Sequence, residues 1–415
     1  MRQGLTMNAK VQIFVCMAML MVASFPQYTW TQFVNPIDDV TRWGKANIQF
    51  TYFTFGMAQA VTTGVLGILV DRSFAGPRIV ALFGAVMLYV GLSTEAHAAS
   101  VELLWQGGLV TGIGVGALTA ACYGSALKWA PGKSRGIALG VTAFGYGGGT
   151  FFILPFLPIS HWIRDFGYQV TLEKLGIILG LLVAALAFFM RSWPENEIAR
   201  ESEESKRAIV SIPHGIAAFV VVYLAFVLVA LSGSMIIAQR GPMASSFGMR
   251  DVQLTFLWVT QGVLTWTIML DSLANGLSRL FFGKLSDRTG RPPAMGIAFC
   301  LEAIGFVWLS YELHNPMMFV VLTGLVFFAY GEIFGLFPAL IGDMFRKRNI
   351  AAIFCLLYTA KGFGAIAPWA SSYLVKGKLV TWEQLLWIGA SLDILAAILI
   401  LAVVPRLMRR ATNPT

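Results

Sequence analysis

What most limits the folding of this chain is a succession of long apolar stretches, joined by loops too short to hold a domain. They run as 11–34, 46–70, 79–95, 102–129, 136–158, 172–190, 213–238, 254–281, 293–312, 316–341, 350–374 and 382–404. A helix needs ~20 apolar residues to cross the ~30 Å hydrocarbon core of a bilayer. Such spans must be helical, because an open strand would leave backbone N–H and C=O groups without partners in lipid. The pattern predicts an all-α membrane protein with 12 transmembrane helices.

Composition and charge agree. The 415 residues are 57% hydrophobic and 12% charged, whereas a soluble domain carries roughly 25% charged residues. The net charge of +9 could suggest a nucleic-acid partner, so its placement decides. With the N-terminus in the cytoplasm, 20 Lys and Arg residues fall on the cytoplasmic side, 8 on the outer side and 2 inside spans. That asymmetry is the positive-inside pattern and predicts both termini in the cytoplasm. The basic charge is therefore topology, and no nucleic acid is expected.

Arg2 and Lys10 ahead of the first span resemble a signal-peptide n-region. The stretch is too long and no A-x-A site follows, so it reads as a retained helix. Cys16, Cys122, Cys300 and Cys355 lie inside predicted spans without CxxC or Cys/His spacing, and read as buried thiols. His97, His161, His214 and His314 are scattered. No nucleophile–base set or metal-ligand spacing stands out, so neither an enzyme nor a cofactor or metal is expected.

Residues 191–211, rich in Glu, Ser and Arg, form a solvated linker between a first six-span unit, 1–190, and a second, 212–415. The units echo one another. Gly67-Ile68-Leu69-Val70-Asp71-Arg72 matches Gly283-Lys284-Leu285-Ser286-Asp287-Arg288, and Ala143-Phe144-Gly145-Tyr146-Gly147 matches Ala360-Lys361-Gly362-Phe363-Gly364. Parallel repeats of this kind place a substrate site near the midplane, between the halves. The glycine runs at Gly112, Gly114 and Gly116, and at Gly145, Gly147, Gly148 and Gly149, sit within apolar spans without a preceding strand. They read as close helix packing, not as nucleotide loops.

The patterns GxxxDRxxxxxR at Gly67–Arg78 and GxxxDRxGR at Gly283–Arg291 resemble the signature loop of the major facilitator superfamily. The resemblance implies two six-helix bundles, alternating access, a monomer, and gating roles for Asp71, Arg72, Asp287 and Arg288.

Charges inside spans are costly and point to function. Lys361 lies 11 residues into its span, too deep to reach water by stretching. Arg279 lies eight residues before Asp287, roughly 12 Å along a helix at 1.5 Å per residue, so snorkelling to the interface is open to it. An ion pair of Lys361 with Glu332 or Asp271 is the structural alternative. The functional reading is an anion pocket, in which the Arg fork meets a carboxylate with two parallel hydrogen bonds and the Lys supplies a point charge.

Several stretches resemble the oxalate/formate antiporter family more closely: Gln27-Tyr28-Thr29-Trp30 with Asn35-Pro36, Asn275-Gly276-Leu277-Ser278-Arg279 with Gly283, Leu336-Phe337-Pro338, and Tyr358-Thr359-Ala360-Lys361. The resemblance implies that Arg279 and Lys361 bind substrate within an aromatic cage of Tyr28, Tyr146 and Tyr330, with Gln27 as a polar neighbour. Three positions depart. Thr119 replaces a cage tyrosine, with Tyr123 one turn further on; Phe334 replaces a tyrosine and lacks its hydroxyl; Glu332 replaces a glycine. Two residues from Tyr330 is ~200° around a helix, so Glu332 should face away from the cage. Trp43, Trp193 and Trp382 read as interface anchors. The expected activity is exchange of small carboxylates, oxalate for formate, across a bacterial inner membrane. The alternative is a proton-coupled monocarboxylate (lactate- or pyruvate-like) symporter using Glu332 or Asp271 as proton carrier.

Overall fold

A computed structural model describes residues 6–71, 76–130, 135–191, 216–256, 258–344 and 350–407, with the backbone alone at 68–71, 135, 136, 350–352, 354 and 355. Arg72 and the linker beyond Arg191 lie outside the described residues, as does the side chain of Asp71.

The chain is almost wholly helical. The first half holds α1 (Met7–Thr29), the short α2 (Val34–Thr41), α3 (Lys45–Asp71), α4 (Pro77–Ala96), α5 (Val101–Trp129), α6 (Arg135–Ile153) and α7 (Ile159–Phe189). The second holds α8 (Ile216–Ser246), α9 (Val263–Thr289), α10 (Arg291–Tyr311), α11 (Pro316–Tyr330), α12 (Ile333–Met344), α13 (Ile350–Gly364), α14 (Ala367–Lys376) and α15 (Trp382–Ile398). Among the described residues, nine segments are long and apolar enough to cross a membrane. Two helices of 27 residues, α3 and α9, are not among them. They carry buried polar residues, Gln49 and Gln59 on α3 and Asp271, Asn275 and Arg279 on α9, on faces enclosed by neighbouring helices, while Val65 and Leu280 on their other faces are exposed.

The expected boundaries need four corrections. The first is a hairpin: β1 (Gln253–Phe256) pairs antiparallel with β2 (Val259–Gly262) where the eighth span was expected to begin, so α9 starts only at Val263. The β-branched Thr255, Val259 and Thr260 favour strand, Trp258 turns the chain at φ 70°, and the indole of Trp266 donates to the carbonyl of Leu254 at 3.0 Å. An open two-stranded ribbon cannot sit in hydrocarbon, so this hairpin lies beyond it. Second, the tenth expected span is broken between α11 and α12 at Gly331–Glu332. Third, the eleventh is broken between α13 and α14 after Gly364, with Pro368 starting the next helix. Fourth, α7 begins earlier than expected and is bent at Gly167, where φ is +82° and only glycine is unstrained.

α3 and α4 pack on α5, α1 on α6 and α4 on α7; in the second half α11 packs on α9, and α15 on α8 and α10. Between the halves, α6 lies against α9 and α3 against α13 and α14. The repeated sequences fall on α3, α6, α9 and α13, so the second helix of each repeat meets the fifth of the other. Without a hydrophobic drive between helices in lipid, close approach through small residues holds them. A Cβ on Gly276 would lie 2.8 Å from the backbone nitrogen of Gly148, and one on Gly56 2.5 Å from the Cβ of Ala365. Large apolar side chains such as Leu181, Phe188, Ile304 and Ile398 face outward.

Hydrogen bonds joining the halves cluster toward the end at which α1 finishes. Arg240 donates to the carbonyl of Tyr28 at 3.0 Å, the Gly241 N–H to the Thr31 hydroxyl at 2.7 Å, Gln49 to the carbonyl of Ala238 at 2.8 Å and Asn35 to Ser245 at 2.7 Å. An exposed pair, Arg250 with Asp39 at 3.1 Å, closes the rim. At the opposite end, a Cβ on Gly67 or Gly283 would meet open space.

Candidate substrate site

α9 presents Asn275 and, one turn on, Arg279 toward α6. The Arg279 guanidinium donates to the carbonyl of Ala143 at 2.9 Å and to Oδ1 of Asn275 at 3.1 Å, and its Nε has no partner. Lys361 occupies the last turn of α13, just before the break, where the partial negative charge of a helix C-terminus favours a cation. Its ammonium donates to Oε1 of Gln59 on α3 at 2.7 Å and to Oε1 of Gln27 on α1 at 3.4 Å.

The two cations share their surroundings. The Phe334 ring centroid is 5.0 Å from the Arg279 guanidinium carbon and 5.3 Å from the Lys361 Nζ. The Tyr146 centroid is 5.9 and 5.2 Å from the same atoms. Electron-rich ring faces attract cations, and do so most where water is excluded. Here Arg279 is 7% and Lys361 4% exposed. Among the described residues no carboxylate is ion-paired with either one. Two positive charges therefore sit enclosed at the junction of the halves, with donors still to fill.

A chain of neutral groups orients them. The Tyr146 hydroxyl donates to Oε1 of Gln27 at 2.5 Å and accepts from Nε2 of Gln59 at 2.7 Å. Nε2 of Gln27 donates to the Tyr52 hydroxyl at 3.1 Å. Pro26, inside α1, precedes this polar stretch.

Of the expected site residues, Arg279, Lys361, Gln27, Tyr146 and Phe334 come together. Tyr28 is buried nearby, its ring 6.2 Å from Phe327. Tyr330 stands edge-on to Phe334 at 5.6 Å, with its hydroxyl buried by Ser234. Thr119 bonds to Val115 of its own helix, while Tyr123 lies beside the Arg279 guanidinium. Lys361 pairs with neither acid considered for it. Asp271 is held by Arg240 at 2.6 Å with both side chains at 0% exposure, and Glu332 is buried with neither oxygen partnered.

The signature loops sit at helix ends. Arg291 reaches Asp287 at 3.0 Å and Asp343 at 3.4 Å, tying the start of α10 to the ends of α9 and α12. Arg288 is exposed in the last turn of α9. In the first half, Arg78 donates to the carbonyls of Phe188 and Met190 at the end of α7.

Sequence reasoning missed Gln59 and Arg240. Gln59 was one polar residue in an apolar span, and only the fold sets it against Lys361. Arg240 lies two residues past the expected end of the seventh span, and α8 carries it to full burial. The three described cysteines, Cys16, Cys122 and Cys300, are free thiols within helices, and the glycines at 112, 114, 145 and 149 each abut a neighbouring helix backbone.

Broken helices, an enclosed polar interface between two helical halves and an apolar outer surface define a polytopic membrane transporter. The chain belongs to the major facilitator superfamily, whose profile it matches over residues 12–257 and again over 222–415. It is 28% identical over 414 residues, 98% of this chain and 94% of the other, to the oxalate:formate antiporter of Oxalobacter formigenes. It is 23% identical over 348 residues, 82% of this chain and 81% of the other, to an uncharacterized MFS-type transporter, YhjX, of Escherichia coli (strain K12). The crystal structure of a point mutant of the nucleoside transporter NupG superposes with a TM-score of 0.69 over 94% of this chain and 99% of that one, at 14% identity, and shares the fold. These relatives are transporters, not enzymes.

Proposed function

We propose that this protein exchanges small carboxylates by alternating access, with oxalate for formate as the working pair, across a bacterial inner membrane with both termini in the cytoplasm. The observation that carries the reading is the pair Arg279 and Lys361, enclosed around the same two rings without a carboxylate partner. Two uncompensated cations resist enclosure in low dielectric. A bound dianion offsets both, so the loaded carrier closes and the empty one does not, which favours exchange over uniport. The similarity to the oxalate:formate antiporter supports the same substrate class.

The test is efflux of labelled oxalate from proteoliposomes. On this reading efflux requires formate or oxalate outside; efflux into buffer at the same rate would show that exchange is wrong. The proton-coupled monocarboxylate reading keeps one supporting observation, the unpartnered Glu332; Asp271 is occupied by Arg240. Uptake driven by an imposed pH gradient and abolished by Glu332→Gln would favour it.

A further inference from the structure

The second half brings together another set of ionisable side chains, away from the two cations. The Ser232 hydroxyl on α8 donates to Oδ1 of Asp393 on α15 at 2.5 Å and also neighbours the Glu302 carboxyl on α10. Glu302 is close enough to feel the charges of both Asp393 and Glu332. One turn along, a Cβ on Gly389 of α15 would lie 3.4 Å from Met235 of α8 and 3.5 Å from Phe306 of α10, which sets the three helices at one level. Exposure is 0% for Glu302 and Asp393 and 1% for Glu332.

Five of the six carboxyl oxygens have no hydrogen-bond partner. Tyr330 belongs to the same region: its buried hydroxyl lies by Ser234 of α8 and is close enough to feel the Glu302 charge. Glu302 feels the charges of Glu332 from the break after α11 and of Asp393 from α15, and the Ser232 hydroxyl reaches it from α8, while Tyr330 of α11 feels Glu302 in turn. Among the described residues no cation is paired with any of the three acids.

Burying several unpaired carboxylates in one region is costly, and like charges within reach of one another add to that cost. What the cluster lacks is donors and a counter-charge, and a bound proton removes the charge that burial penalises. A metal ion would need a closed oxygen shell, and no group of described residues could hold one. We propose that Glu302, Glu332 and Asp393, braced by Ser232, form a proton-binding site linked to the substrate site through Tyr330. Tyr330 packs on Phe334, whose ring carries both cations. Glu332 sits between these two aromatics in the break, where the chain can change shape without breaking a helix, so a proton gained or lost here is felt at the anion site.

Infrared difference spectra of the purified protein, taken across pH, read the C=O stretch of protonated carboxyls directly. Wild type should show such bands titrating together, altered by each of Glu302→Gln, Glu332→Gln and Asp393→Asn and not by the exposed control Glu102→Gln in the first half. No protonated band, or bands insensitive to all three substitutions, overturns the site. If a variant fails to fold, wild type carrying carbon-13 at its glutamate carboxyls, compared with labelled Glu95→Gln, decides alone. Linkage is read by calorimetric titration with oxalate in buffers of different ionisation heat. Wild type should exchange protons per oxalate bound and Glu302→Gln should lose most of that exchange; buffer-independent heats in wild type overturn the link. Oxalate is the probe because the link rests on the carboxylate reading. No oxalate heat at all would sink that reading while the infrared result still judges the proton site.

Discussion

Replacing Asp271 with Asn should pull apart the end of the molecule at which α1 finishes. Arg240 and Asp271 meet at 2.6 Å with no exposure on either side, and the same guanidinium donates to the carbonyl of Tyr28 across the interface between the halves. Removing one partner of a buried pair costs about 3–5 kcal/mol, because the remaining charge stays desolvated. The carbonyl of Ile237 and the Phe327 ring at 4.8 Å retain part of the attraction to Arg240, so the low end, about 3 kcal/mol, is the better figure. At 1.4 kcal/mol per tenfold, that shifts the balance toward the separated arrangement about a hundredfold. The assay is electron-electron dipolar spectroscopy between nitroxides at positions 39 and 250 on a cysteine-free background. Labelling removes only the exposed Asp39–Arg250 pair, worth at most about 1 kcal/mol. Asp271→Asn should convert a short distance into a long one. Arg240→Met with Asp271→Leu, which leaves no orphaned charge, should restore the short one. An unchanged distance distribution in Asp271→Asn, with unchanged melting temperature, would refute the latch.

Lys361→Ala and Arg279→Ala should each abolish oxalate exchange while the protein stays folded by size exclusion, since losing an unpaired buried cation relieves a desolvation cost. Arg279→Lys should fail as well because the planar fork is lost; normal transport by it would remove the bidentate role. Gln59→Leu deletes the 2.7 Å partner of Lys361. A lost hydrogen bond to a charged group is worth about 1.5–3 kcal/mol, so oxalate affinity by calorimetry should weaken roughly tenfold to a hundredfold. Gly233→Ala would drive a Cβ into the Tyr330 ring, and overpacking should cost about 1–3 kcal/mol in a thermal melt. Gly335→Ala, which meets nothing within 4 Å in helix α12, should be neutral or stabilising.

Much of this protein can be read from local pattern. Hydrophobic length reports the solvent around a segment, so most spans appear as apolar runs with ends good to a few residues. The midpoint linker and the two echoed sequences suggest a duplicated unit, and the echoes fall on the helices that meet across the interface. Lys361 stands out because a lysine deep in an apolar run has no cheap explanation. The hairpin at 253–262 was invisible because its apolar residues continue the run that follows, and the breaks in the tenth and eleventh spans because glycine is as common in packed membrane helices as at their ends.

Partnership was beyond local reading. By itself the sequence determined that the chain crosses a bilayer many times and buries two cations in doing so. Only tertiary structure decided that Asp271 belongs to Arg240 and not to Lys361, that Gln59 holds the lysine, and that Glu302, Glu332 and Asp393 lie together. The reason is electrostatic. A charge in lipid must find its partner across helices that can be a hundred residues apart along the chain, and which helices touch depends on how all of them pack.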